Sequence, residues 1–173
     1  MIYISEDNND RRIRIWVNEL PIKYKANKVI SLSCDYVSSD AIVASSVAVE
    51  IKNGRLSNNN YAMIGGEFQI NNTGRFQVNL SIPYNMNKKY ITDMSSSNDN
   101  VYIGFDEQYS IAIMGCDHSE NRLPSGILTI NCAACAEIGS SIKCFKWAYR
   151  VLLNTLCKKQ ILFDDKELFL LYK

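Results

Sequence analysis

Apolar residues recur at every second position through most of this chain, and that period predicts strands. Ile13-Arg14-Ile15-Trp16-Val17 alternates in β-branched company, so one face is expected inside and Arg12 and Arg14 are expected on the solvent face. Ile2-Tyr3-Ile4 predicts a shorter strand, with the polar run Ser5 to Asp10 as the hairpin loop between them. Pro21 closes this segment, and Val29 to Cys34 opens another strand. Ala41 to Ile51 is β-branched and small, and Asn53-Gly54 follows, a pair that readily adopts the positive φ of a tight turn and so signals a hairpin. The clearest alternation is Phe68, Ile70, Phe76, Val78, Leu80 and Ile82; it predicts a hairpin of Glu67 to Ile70 with Arg75 to Ile82 around Asn71-Asn72-Thr73-Gly74. Pro83 ends it. The polar stretch Asn85 to Asn100 reads as a long surface loop, mobile at Ser95-Ser96-Ser97. Val101 to Phe105 and Tyr109 to Met114 read as an antiparallel pair around Asp106-Glu107, and Gly126 to Cys132 as a further strand.

The period then changes. Ser140-Ser141 offers N-cap hydroxyls to a helix running to about Lys159, with Glu137 near its positive end and Lys158 and Lys159 at the other. Phe145, Ala148, Tyr149, Leu152 and Leu156 share one face, and Lys143, Lys146, Arg150 and Asn154 share another, so the helix is amphipathic and should pack on a sheet. Ile161-Leu162-Phe163 and Leu168 to Tyr172 are expected as a short closing hairpin around Asp164-Asp165. Strands joined by short polar turns, without alternating helices, favour an antiparallel sheet. The expected fold is α+β: one domain over residues 1–173, a mostly antiparallel curved sheet or half-barrel packed against one C-terminal amphipathic helix.

Composition narrows the functional classes. With 47% hydrophobic residues in 173, one full core is affordable without staples. The 19 basic and 18 acidic residues leave a charge of +1, so no global field draws in nucleic acid or an anionic membrane. No segment carries a secretory pattern or the roughly 18 apolar residues of a membrane span. A cytosolic location is therefore expected, with the six dilute cysteines as free thiols.

Cys116-Asp117-His118-Ser119-Glu120 followed by Cys132-Ala133-Ala134-Cys135 is the sharpest candidate for chemistry. Cys116, His118, Cys132 and Cys135 could form a tetrahedral Cys₃His zinc set, because zinc prefers thiolate and imidazole. The same letters resemble the zinc-dependent deaminase pattern, H-x-E followed by P-C-x-x-C, in which glutamate shuttles protons; Asn131 stands in place of the proline. That pattern needs an intervening helix, and Pro124 and Gly126 interrupt the eleven residues between Glu120 and Cys132. Cys116 with His118 could also act as a nucleophile with its base, His118 being the only histidine. The Cys132/Cys135 pair would be redox-active only at a helix N-terminus, and the helix cap lies further on. Gly65-Gly66-Glu67-Phe68 resembles part of the diguanylate cyclase signature, but one acidic residue is missing, and the glycines are better read as a bulge or bend at a strand entrance. Lys143, Lys146 and Arg150 bordering Trp147 read as a solvated face; their alternative use is contact with phosphate or an acidic surface.

No hydrolase triad, phosphate loop, dinucleotide fingerprint or paired-carboxylate motif appears. In size, composition and acidic pairs at Asp106-Glu107 and Asp164-Asp165, the chain resembles the small immunity proteins that bacteria make against interbacterial toxins. That resemblance implies a protein partner, a toxin domain blocked at its active site. The expected contacts are Asp106, Glu107, Asp117 and Glu120, with no cofactor and no metal. The alternative is a zinc- or cysteine-dependent enzyme centred on Cys116, His118, Cys132 and Cys135. A second alternative is an assembly or scaffold subunit.

Overall fold

A computed structural model of the chain describes residues 1–6, 10–34, 44–54, 61–116, 123–157 and 168–169. Among the described residues, eight strands form one open sheet: β1 (Ile2–Glu6), β2 (Arg11–Val17), β3 (Lys28–Cys34), β4 (Ser46–Asn53), β5 (Tyr61–Ile70), β6 (Phe76–Ile82), β7 (Val101–Ile103) and β8 (Gly126–Ala136). Their order is β1-β2-β4-β5-β8-β6-β3, and β7 pairs with the C-terminal end of β8. Every pairing is antiparallel except β6 with β8. A short 3-10 turn (Glu107–Tyr109) leads into α1 (Ser110–Met114), and α2 (Ile142–Cys157) lies over β4 and β5. The expected α+β fold, a mostly antiparallel sheet backed by a C-terminal helix, is present. Among the described residues, no helix is long and apolar enough to cross a membrane.

The alternation seen in the sequence becomes two sheet faces. Ile13, Ile15, Val47, Val49, Ile51, Ala62 and Ile64 are fully buried on one face with Phe145, Ala148, Tyr149, Leu152 and Leu156 of α2. The helix starts where expected: Ser141 Oγ accepts the Cys144 amide at 3.2 Å. Its neighbour Ser140 instead bonds the sheet, accepting from the Ala136 amide and donating to the Tyr61 carbonyl.

Two local expectations fail, each for a physical reason. The predicted hairpin of Glu67–Ile70 with Arg75–Ile82 does not pair with itself, because β8 enters between β5 and β6. Ser125 anchors that entry. Its hydroxyl donates to Asn71 Oδ1 and accepts the Gly74 amide, its carbonyl accepts the Asn71 amide, and the next amide, Gly126, donates to the Arg75 carbonyl. Gly126 also permits Phe68 and Phe76 to stack at 6.0 Å although their strands are not neighbours; a Cβ there would lie 2.2 Å from the Phe68 ring. Second, Tyr109 to Met114 is helical, since Asp106 caps the turn through the Gln108 amide and Ala112, Ile113 and Cys116 then fall on a buried helical face. The hairpin that Asn53-Gly54 signals is present, with β4 and β5 antiparallel across it; Asn53 still lies in β4 opposite Arg11, and Gly54, at φ 83°, donates its amide to the Asp10 carbonyl. The predicted C-terminal hairpin lies mostly outside the described residues; Leu168 and Phe169 are helical and buried against Trp147, whose Nε1 donates to the Leu168 carbonyl.

The bulge expected at Gly65-Gly66 falls within β5 rather than at its entrance. The register jumps there, with Gly65 opposite Cys132 and Gly66 opposite Ile130, leaving Asn131 as the extra residue. A Cβ on Gly66 would lie 2.3 Å from the Thr129 carbonyl oxygen. Gly66→Ala is therefore expected to cost about 3 kcal/mol or more of unfolding free energy. Gly74→Ala, in open space at φ 71°, should cost only about 1–2 kcal/mol. Urea denaturation of the two variants checks this, and equal losses would contradict the packing argument.

Candidate functional site

The second face of the sheet is where the structure departs most from expectation. Arg12, Arg14 and Trp16 point to it from β2, Ala48, Glu50 and Lys52 from β4, and Tyr61 and Met63 from β5, in register rows Arg12–Lys52–Tyr61, Arg14–Glu50–Met63 and Trp16–Ala48–Gly65. Around Trp16, Ala48, Glu50, Tyr61 and Met63 this face is closed to solvent. The segment after β6, expected as a free surface loop, crosses it and buries Met94 completely against Trp16, Ala48, Tyr61, Met63 and Cys132. The pattern of β8 records the change: Gly126 to Asn131 alternates in burial, whereas Cys132 to Ala136, beneath the covered part, is buried throughout.

Glu50 fastens the cover. Its side chain is fully buried, and a buried carboxylate requires donors from within the protein. It has three: Tyr61 Oη at 3.0 Å, Thr92 Oγ1 at 2.7 Å and Arg14 Nη1 at 3.4 Å. Arg14 also bonds Asp93, so one guanidinium links β4 to the loop. The Thr92 hydroxyl accepts the Met94 amide, holding the loop in a tight turn above the plug it inserts. Burial raises the Glu50 carboxyl above its ordinary value despite Thr92, Tyr61 and Arg14, whereas the Arg14 hydrogen bond holds Asp93 below its own. Burial, then the adjacent Glu50, drives the Tyr61 phenol far up, so it stays a donor.

Beside this latch lies a cleft of about 720 Å³. Asp10, Arg12 and Lys52 form its sheet wall, and the loop wall runs from Lys89 through Ser95, Ser96 and Ser97 to Val101. Ile91, 96% exposed, stands at its edge. The loop wall is fixed at both ends: the Tyr90 amide donates to the Val101 carbonyl, and Asp99 accepts the amides of Ile138 and Gly139 at 3.0 and 2.6 Å. Ser95 to Ser97 thus belong to a tethered segment.

The residues singled out in the sequence are distributed otherwise. Cys132 and Cys135 both lie inside β8, three residues apart and on opposite faces, Cys132 with Met94 and Trp16 and Cys135 in the helix-side core. At about 3.3 Å per residue their Cα atoms stand roughly 10 Å apart, too far for a disulfide or a shared metal. The Cys116, His118, Cys132, Cys135 zinc set therefore cannot close, and the deaminase and redox readings fall with it. Burial pushes both thiols up to about 12, away from the thiolate. Cys116 is buried too, its thiol donating to the Ala112 carbonyl at 3.1 Å. Among the described residues, no group of three or more His, Cys, Asp or Glu side chains is placed to hold a metal. Trp147, expected at the border of a basic face, is buried in the core.

Of the expected partner contacts, Asp106 caps the 3-10 turn and also accepts from the Gln108 side chain, and Glu107 pairs with Lys28 at 2.6 Å. Asp117 and Glu120, with His118, lie outside the described residues. Nothing in the sequence pattern marks the cleft, but the latch beside it carries one signal: Glu50 is the single charge in the apolar run Ala41 to Ile51. Comparison with known proteins returns no matching family model, no matching curated protein and no matching solved structure. The functional reading therefore rests on the site itself.

Removing the latch has a measurable cost. Glu50→Ala removes the shared acceptor of Arg14, Tyr61 and Thr92 and is expected to lower stability by about 3–5 kcal/mol, with faster amide exchange at residues 90–94 than in α2. A loss below about 1 kcal/mol would mean that the network is not what holds the loop. The pH dependence has a definite sign. A carboxyl raised by folding contributes fully below its unfolded pKa, and that contribution is lost as pH rises through the folded value. From pH 4.5 upward, wild type should lose stability relative to Glu50→Gln. Urea titrations of both proteins over that range check the slope, and a rising difference would refute it.

Proposed function

We propose that this chain is a cytosolic binding protein and that the cleft beside the 89–101 loop is where it recognises its partner. The observation that supports this is the way the cleft is built: its loop wall is latched to the sheet by Arg14, Glu50, Thr92 and Asp93 and tethered through Asp99. A concave site with preset walls loses little conformational freedom on binding. A volume of about 720 Å³ suits a small ligand or one protruding segment of a protein. Its lining of hydroxyl, amide and charged groups suits a polar one. For an immunity protein, which neutralises a toxin domain by covering its active site, this cleft would receive a polar segment of the toxin. Asp106 and Glu107 are not among the residues that line this cleft.

The test is a ¹⁵N NMR titration with a panel of neutral, anionic and cationic polar ligands, repeated on Ser96→Trp, which fills the cleft. Saturable shifts should cluster at residues 89–101 and disappear in the variant. Shifts elsewhere, or shifts indifferent to Ser96→Trp, would remove the cleft as the recognition site. The immunity form adds one outcome: the protein restores growth when co-produced with the toxic product of a neighbouring gene, and Ser96→Trp abolishes the rescue.

A further inference from the structure

The sheet wall of the cleft contains a second level of organisation. Arg12 and Lys52 are direct cross-strand partners, and like charges so placed repel unless something lies between them. Asp10 supplies it. Its Oδ1 accepts from Arg12 Nε and Nη2 at 3.0 and 2.9 Å, and its Oδ2 accepts from Lys52 Nζ at 3.0 Å. Asp10 adopts a left-handed conformation, φ 48°, which aspartate tolerates better than most residues. Burial pushes its carboxyl up, but Lys52 and Arg12 outweigh that and hold it ionised.

The layering decides what a ligand meets. The Asp10 side chain is 6% exposed, against 31% for Arg12 and 15% for Lys52, so the carboxylate lies beneath and the two cations lie above it. One negative charge orients two positive ones and leaves an excess facing the cleft. Lys89, on the loop wall, bonds the neutral Asn100 side chain at 2.8 Å and adds a further positive charge. The other acids that line the cleft are engaged by partners of their own, Asp93 by Arg14 and Asp99 by the Ile138 and Gly139 amides. Guanidinium and ammonium donors beside three serine hydroxyls are the groups that bind anionic oxygens.

We propose that Arg12, Lys52 and Lys89 form an anion subsite in this cleft, oriented by Asp10, that takes a phosphate or carboxylate group of the ligand. This rests on the cleft being the recognition site, and it names the chemistry read there. The experiment is a ¹⁵N NMR titration of the full chain with inorganic phosphate, succinate, glucose and ethanolamine at constant ionic strength, on wild type, Lys89→Gln and Asp10→Asn. Phosphate or succinate should give saturable shifts at residues 12, 52 and 89–101, and the tighter of the two identifies the source of the anion. Lys89→Gln should weaken binding at least about fivefold. Asp10→Asn should weaken it as well, with Arg12 side-chain resonances broadened by lost orientation. If glucose or ethanolamine saturates the cleft and neither anion does, the subsite is overturned while the cleft stands. If no probe perturbs residues 89–101, both readings fall. Anion shifts that are non-saturable or unchanged in Lys89→Gln also overturn the subsite, as general charge screening.

Discussion

A strand that turns from half-buried to buried on both faces along its length needs neighbours on both edges, and β8 is that strand. It pairs with β5 along one edge and divides the other between β6 and β7, so the fold depends on its entry between two strands that are consecutive in sequence. Three features make the entry possible. Ser125 bonds the connection between β5 and β6, Gly126 leaves room for the Phe68 and Phe76 rings to meet above it, and the Gly65/Gly66 bulge absorbs the extra residue Asn131. Each glycine is required because another group occupies the space of its missing side chain.

The same strand ties the fold to the site. Its C-terminal half is small and apolar, Cys132-Ala133-Ala134-Cys135-Ala136, and such a face must be covered. The 83–100 segment covers it with Met94 and carries Thr92 and Asp93 to Glu50 and Arg14. An apolar plug and a buried carboxylate act together: the plug excludes water, and without water Glu50 must take its hydrogen bonds from the loop and from its neighbouring strands. The cleft is the space left where this cover rises away from Arg12 and Lys52.

The cysteines show how spacing can mislead without a backbone conformation. C-x-x-C brings two sulfurs together in a tight turn or at a helix start, but in an extended strand the same letters point to opposite sides. Cysteine here acts as a small hydrophobe, fitting a strand packed on both faces. The basic residues of α2 are a milder case. Phe145, Ala148, Tyr149, Leu152 and Leu156 were legible as the core face, but the helix is buried over a wider arc that includes Trp147, Val151 and Leu153. Periodicity marks a face but not its width, which depends on how many elements pack around the helix.

The sequence by itself determined which positions face inward. The alternations in β2, β5 and β6 and the helical period of α2 are local consequences of backbone geometry, and Asp106 and Ser141 cap the elements they precede through short-range hydrogen bonds. Tertiary structure alone decided which strands are neighbours, because β5, β6 and β8 share one period and any two could pair. It also decided that the polar stretch 85–100 is a cover, since its fully buried anchor, Met94, has meaning only against a face assembled from four distant strands. The cleft follows from that placement. Asp10, Arg12, Lys52 and Lys89 are scattered charges along the chain, and they become one surface only when strand register sets Arg12 opposite Lys52 and the loop closes over them.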